Sequence, residues 1–225
     1  MMRSTRMRDY QSALVGLGYD PGALDGTWGP KTAAATRALL AAAGAPYTST
    51  PADPVKVPAT AAAPVARFDS PAYSDMERTF GPAGGPDCTA GKVALPMPLR
   101  LAWEPAKTVT SFRCHRLLAP AFTSIFVEAV AHYGEARFRQ MRLDLFGGCF
   151  ADRPMRSGTR KSTHAWGAAV DVDPERNQLS WGRDRASLAA PEYEVWWKLV
   201  EAHGAVSLGR AEDRDWMHFQ FCRAK

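Results

Sequence analysis

The chain is predicted to be an α+β protein, with a small antiparallel sheet and flanking helices, preceded by a small all-α domain. Three observations carry this. Phe122, Ile125, Phe126, Ala129, Val130 and Tyr133 recur at steps of three and four residues, the period of a helix with one buried face. Met141, Leu143 and Leu145 alternate as a half-buried strand does, and Trp216 to Phe221 does the same. Upstream, alanine-rich helical segments are broken by turn residues, and the composition then shifts to Pro, Ala, Thr and Ser.

Composition sets the outer limits. With 225 residues, 46% of them hydrophobic and 23% charged, the chain can bury a substantial core. A formal charge of +5 favours anionic partners. The 28 basic residues are interleaved with 23 acidic ones, however, and no nucleic-acid partner is expected. The basic start Met1 to Arg8 is followed by Asp9-Tyr-Gln-Ser12 where a secretory signal needs an apolar run. No stretch of eighteen apolar residues occurs either, so neither export by a signal nor membrane insertion is expected. Cys88, Cys114, Cys149 and Cys222 form no CxxC pair, which argues against a zinc knuckle and for four reduced, mostly buried thiols.

Residues 1–44 are read as the first domain. Two short helices flank a loop made of Gly18-Tyr-Asp-Pro-Gly22 and Leu24-Asp-Gly-Thr-Trp-Gly29, and Pro30 sits early in the second helix, where its missing N–H costs nothing. The order LGYDPG, LDGTWG, KT and an Ala-rich helix ending at Gly44 resembles the small peptidoglycan-binding domain attached to many cell wall hydrolases. That family carries a Phe-Gln pair in its last helix, where this chain has Arg37-Ala-Leu-Leu40. The resemblance implies that Tyr19, Asp25 and Trp28 line a shallow groove for glycan or stem peptide; in a domain this small, Tyr19 and Trp28 equally serve to complete the core. Residues 45–75 read as a linker, with prolines at 46, 51, 54, 58, 64 and 71. It has too few large apolar residues to offset ordering entropy, and a chain of this length spans roughly 30 Å coiled and roughly 90 Å in polyproline form.

Residues 76–225 form the second domain. Gly134 caps the helix over 122–133, and the strand over 141–145 runs into a Gly147-Gly148 turn. A further helix begins near Pro191, buries Val195, Trp196, Leu199 and Val200, and ends at Gly204. The chemistry lies in Ser162-Thr-His-Ala-Trp-Gly-Ala-Ala-Val-Asp171 and Asp215-Trp-Met-His-Phe-Gln220. His164, Asp171 and His218 make up the three protein ligands of a catalytic zinc, whose fourth position stays open. On a straight strand, residues seven apart face opposite ways, so His164 and Asp171 share a metal only if the chain bends between them. Gly167 is the expected bend; beyond it Val170 and Val172 point into the core and Asp171 away. By the same parity Asp215 lies in the turn before the last strand, placed for general acid/base work.

The pattern SxHxxGxAxD followed by DxMHFQ resembles the zinc peptidases of the D-Ala-D-Ala carboxypeptidase superfamily, which includes phage endolysins that cut the L-Ala/D-Glu bond. Leu95-Pro-Met-Pro-Leu99, Trp103, His115, Phe146-Gly-Gly-Cys149, Asp173-Pro-Glu-Arg-Asn177 and Val206-Ser-Leu-Gly-Arg210 extend the likeness over roughly 76–225. It implies Zn2+ on His164, Asp171 and His218, Asp215 as general acid/base, and a substrate-binding arginine in Asp152-Arg-Pro-Met-Arg156, with Arg153 preferred to Arg156 and Arg160 third. Ser162 either contacts substrate or satisfies backbone groups at a turn. Trp196-Trp197 either stack on sugars or belong to the core. Asp173 reads as a strand end, and Cys149 is the thiol best placed as a stray ligand.

The expected function is a monomeric zinc-dependent peptidoglycan peptidase of the L-Ala-D-Glu endopeptidase type, a phage or prophage endolysin that stays cytoplasmic until released to the wall. A D-Ala-D-Ala carboxypeptidase is the alternative within enzymes. A non-catalytic wall-binding or virion protein with a structural metal is the alternative outside them.

Overall fold

The computed structural model describes residues 5–25, 31–32, 34–35, 38–39, 67–156 and 158–224. The chain divides into two compact units, Met1–Ala61 and Ala62–Lys225. Residues 45–66, most of the stretch read as linker, lie outside the described residues.

In the first unit, helix α1 (Thr5–Gly16) buries Gln11 and Leu14, three apart and hence on one face. Gln11 Nε2 donates to Thr32 Oγ1 at 3.2 Å and to Asp25 Oδ1 at 3.4 Å, and Thr32 Oγ1 donates to the Pro21 carbonyl at 3.0 Å. A buried amide therefore ties the loop, and helical residues after it, to α1. This suits a unit whose buried hydrophobics, among the described residues, are Leu14 and Ala35. Of the residues expected to line a groove, Tyr19 is partly exposed and Asp25 is tied to Gln11; Trp28 lies outside the described residues.

The second unit is a six-stranded sheet with flanking helices, in the order β2-β1-β3-β4-β6-β5. Its strands are β1 (Gly91–Leu101), β2 (Glu104–Cys114), β3 (Leu145–Gly148), β4 (Ala169–Val172), β5 (Val206–Ser207) and β6 (His218–Gln220). The helices are α2 (Met76–Phe80), α3 (Ala119–Tyr133), α4 (Glu135–Gln140), α5 (Glu194–Ala202) and α6 (Leu208–Glu212).

The sheet is mixed, which corrects the expected antiparallel one. β1 and β3 pair in parallel through Arg100↔Leu145 and Leu101↔Phe146, because α3 and α4 form the crossover that parallel neighbours require. The β1–β2 hairpin escaped the sequence reading because Pro96 and Pro98 argue against a strand. In the structure the β1–β2 register slips between Ala94 and Leu99, and β3 meets β1 only at Arg100 and Leu101, so both prolines fall where ladder N–H groups are not required.

Helix α3 carries the expected face. Phe122, Ile125, Phe126 and Ala129 are fully buried, and Gly134 ends the helix. Each large side chain on this face contributes about 1.5–3 kcal/mol by leaving water. The alternation at 141–145 is a different matter: Met141 caps α4, Arg142 turns at φ 61°, and strand begins only at Leu145, with Gly147 and Gly148 inside β3 rather than in a turn. The alternating hydrophobicity there belongs to a tight turn that also buries the carboxylate of Asp144, which Arg100 grips at 2.7 and 2.9 Å. In α5 both Trp196 and Trp197 are buried. Trp196 packs on Phe126, Phe138 and Phe219, and Trp197 donates its Nε1–H to the Leu188 carbonyl at 2.8 Å, so neither ring faces a sugar. Phe68 and Ser70, within the stretch read as linker, pack on this unit: Phe68 stacks on Phe80 and Ser70 Oγ donates to the Gly204 carbonyl at 2.6 Å.

All four cysteines are free and buried. Burial pushes the Cys114 thiol up to about 12 and Cys222 up to about 11, and raises Cys88 and Cys149 as well. A thiol held protonated by the fold stabilises it at neutral pH, and that contribution is lost as pH rises past the unfolded value of 9.0. Two outcomes are expected. At pH 8 a thiol reagent should label the native chain far more slowly than the chain in denaturant, and stability in urea should fall between about pH 9 and pH 11; rapid native labelling of all four thiols would contradict this burial.

Candidate metal centre and cleft

Three short segments build the site. A 3-10 turn, Thr163–Trp166, carries His164; Ser162 caps it, its Oγ accepting the His164 N–H at 3.4 Å. The hydroxyl of Ser162 thus serves the turn while also lining the cleft described below. Gly167 ends the turn at φ 61°, where an added Cβ would sit 2.1 Å from the Cys88 carbonyl oxygen. This is the bend that parity demanded. Beyond it β4 sends Val170 and Val172 into the core, at 0% and 1% exposure, and Asp171 to the other side. β6 lies antiparallel to β4 with Asp171 directly opposite His218. Gly147 on β3 allows the approach from behind, since a Cβ there would meet the Asp171 Cβ at 2.9 Å.

His164 Nε2 stands 3.3 Å from Asp171 Oδ2, and His218 Nδ1 stands 2.9 Å from Asp171 Oδ1. One ligand atom from each of the three lies within 4.8 Å of the others, so the group could hold a metal ion. The chemistry of the donors fits. His164 Nδ1 meets the Cys149 carbonyl at 2.5 Å, which requires an N–H there and leaves Nε2 with its lone pair toward Asp171. His218 Nε2 meets Gln220 Oε1 at 2.9 Å, and that amide is oriented by donating from Nε2 to the Cys222 carbonyl at 3.1 Å. Both imidazoles are therefore held by their outer nitrogens, the arrangement metal-ligating histidines usually have. Electrostatics agree. Burial alone would raise the Asp171 pKa, but the two imidazoles hold its carboxyl far below the usual range. Burial alone would lower the His218 pKa, but Asp171 raises it overall. A cation belongs between these groups, whether proton or metal.

Sequence reasoning missed the supports. Thr163 Oγ1 donates to Gln220 Oε1 at 3.0 Å, so one amide oxygen gathers a hydroxyl and an imidazole. Strand parity could have found Gln220, which shares a face with His218 two residues earlier. Cys149 contributes through its carbonyl; its thiol points to the Gly167 carbonyl at 3.7 Å and is not one of the three ligands. Asp173 is fully buried at a turn with φ 46°, paired with Arg142 and Arg176 at 2.7 and 2.8 Å, as a strand end should be.

Asp215 lies in the turn before β6 with φ 53° and is 6% exposed. Its Oδ1 is buried with no hydrogen-bond partner, and burial raises its pKa. A buried carboxylate oxygen left unpaired is costly and calls for an explanation in function. It lines a cleft of about 640 Å³ together with His164, Asp171 and His218. Arg153, Arg156 and Arg160 line the same cleft from a short hairpin in which Pro154 bridges Lys161. Arg153 is partly buried, its Nη1 donating to the Pro154 carbonyl at 3.1 Å, while Arg156 and Arg160 are exposed. Among the described residues no helix is long and apolar enough to cross a membrane. Comparison with protein-family models, curated proteins and solved structures finds no match to this chain.

The geometry makes Gly167 the most sensitive position near the site. Gly167→Ala should cost more than about 2 kcal/mol, since it combines a left-handed backbone with overpacking against fixed main chain. Urea denaturation of the variant measures this; a change within about 0.5 kcal/mol, the range of an ordinary surface substitution, would show that the bend is not under constraint.

Proposed function

We propose that the chain is a zinc-dependent peptidoglycan peptidase that hydrolyses an amide bond in the stem peptide, of the L-Ala-D-Glu endopeptidase type, with residues 1–44 as a wall-binding domain joined to it by a Pro-rich tether. The observation that carries the reading is one cleft holding a three-donor metal group and, beside it, a buried carboxylate oxygen with no partner. A structural zinc is normally closed by four protein ligands, whereas three ligands and an adjacent acid belong to catalysis.

His164 Nε2, Asp171 and His218 Nδ1 would hold the zinc, which supplies Lewis acidity to the scissile carbonyl and lowers the pKa of a water to about 7. The chain's own residues do the rest. Cys149 and Gln220 keep the imidazoles aimed. Asp215 Oδ1 accepts the proton of the attacking water and later delivers it to the leaving amine, so the C–N bond breaks without a protein nucleophile. Arg153, on the cleft wall, pairs with a substrate carboxylate or the developing oxyanion. A tethered wall-binding domain raises the local concentration of the peptidase on an insoluble polymer. A lytic enzyme of the endolysin type is the setting these parts suit.

The test is to digest purified peptidoglycan with the full chain and identify the new termini by mass spectrometry. New N-terminal D-Glu is expected, activity should disappear with chelator and return with zinc, and Asp215→Ala should lower the rate about 10²- to 10⁴-fold. Release of free D-alanine alone would assign a carboxypeptidase instead. Undiminished lysis in excess chelator, or by Asp215→Ala, would remove the enzyme reading altogether.

A further inference from the structure

Several guanidinium groups elsewhere in the second unit have carboxylate partners, although among the described residues Arg67, Arg113, Arg137 and Arg185 form no ion pair. Arg100, Arg139, Arg142, Arg176, Arg183 and Arg210 each approach a carboxylate at 2.5 to 3.5 Å. At the cleft, arginines without ion pairs are gathered on one concave surface. Arg153, Arg156, Arg160 and Arg223 line it, and among the described residues none of the four forms an ion pair, while Arg214 alone of the cleft arginines is matched, by Glu212. Unpaired cations gathered in a concave, partly desolvated site focus field on whatever binds there.

Their aim is set by the backbone. In the hairpin, Pro154 bridges Lys161, the Met155 N–H donates to the Arg160 carbonyl at 2.8 Å and the Ser162 N–H to the Arg153 carbonyl at 3.0 Å. Residues opposite one another in an antiparallel pair share a face. Arg153, Met155, Arg160 and Ser162 therefore share the face that lines the cleft, and Pro154 and Lys161 the other, where Lys161 is paired with Asp152. Arg160 is further held with its guanidinium 5.0 Å from the centre of the Tyr73 ring, and the Tyr73 hydroxyl donates to the Lys161 carbonyl at 2.7 Å. Arg223 comes to the same wall from the C-terminal segment, its N–H donating to the Pro71 carbonyl, two residues before Tyr73, at 2.8 Å.

We infer that Arg160 and Arg223 form a carboxylate subsite, separate from Arg153, that selects peptides with at least two free carboxylates over their carboxamide forms. The inference rests on the peptidase reading for its ligand class, and it makes the amidation state of the stem peptide the specificity determinant. A guanidinium offers paired donors to a carboxylate, and a carboxamide presents only one acceptor and no charge.

The probes are a synthetic stem tetrapeptide with free carboxylates on its second and third residues and the same peptide with both as carboxamides. Binding of each to full-length Asp215→Asn is measured by calorimetry, and hydrolysis of each by the unmodified chain. The free acid should bind about tenfold or more tightly than the diamide, with an affinity that falls as salt is raised. Arg160→Gln and Arg223→Gln, both at exposed positions, should each lose most of that preference through the free acid, and Lys161→Gln on the outward face should keep it. Equal binding of the two peptides, or a preference left undiminished in both arginine variants, overturns the subsite whether or not the peptide is cut, the residual preference expected in each variant being that of Arg153. Selective binding without cleavage of either peptide upholds the subsite and overturns the peptidase reading.

Discussion

The arrangement depends on a single carboxylate shared by two imidazoles. Asp171 faces His218 across an antiparallel ladder and His164 across a one-residue bend. Bringing three donors together within 4.8 Å in a buried place is unfavourable unless a cation joins them. The fold tolerates the arrangement because each donor is braced from outside. The Cys149 carbonyl holds one ring, the Gln220 amide holds the other, and Gly147 leaves room behind the carboxylate. No brace is a charged group, so no charge is added from behind the three donors.

The rest of the second unit serves as a rigid mount. α3 lays Phe122, Ile125, Phe126 and Ala129 on the sheet, and Phe122 meets both Phe219 and Phe221 beside the site strand. Trp196 bridges Phe126 and Phe219, so the helical layer and β6 move as one. Interiors packed in this way transmit strain rather than absorb it, and this is what keeps ligands on a turn and two short strands in register. Buried Asp144, just before β3, and buried Asp173, just after β4, are each held by arginines and fasten the adjacent ends of these paired strands.

Much of this was legible in the residues. The three donors follow from their number and type, the bend at Gly167 and the turn at Asp215 from strand parity, and α3 from its period and its terminal glycine. What was not legible has physical causes. Pro96 and Pro98 hid β1, because their tolerance depends on a bulge that exists only once β2 is paired. The parallel β1–β3 contact could not be read because it is a property of the crossover, not of either strand. The alternation at Met141 to Leu145 matched a strand period while arising from a turn around buried Asp144. Thr163 and the Cys149 carbonyl brace the site through contacts between distant segments, which no local pattern encodes, whereas Gln220 lies within reach of strand parity. Conversely, the cleft face shared by Arg153 and Arg160 emerges only when residues 153–162 are seen as a hairpin.

The claim on which the account turns is that His164, Asp171 and His218 hold one metal ion. Zinc content of the full chain, loaded with zinc and dialysed, tests it most directly by elemental analysis alongside His164→Ala and His218→Ala, with circular dichroism to confirm that each is folded. The account predicts about one zinc per chain in the parent and little or none in either variant, since two remaining donors hold zinc poorly. A folded parent that retains no zinc, or variants that retain as much as the parent, would contradict it.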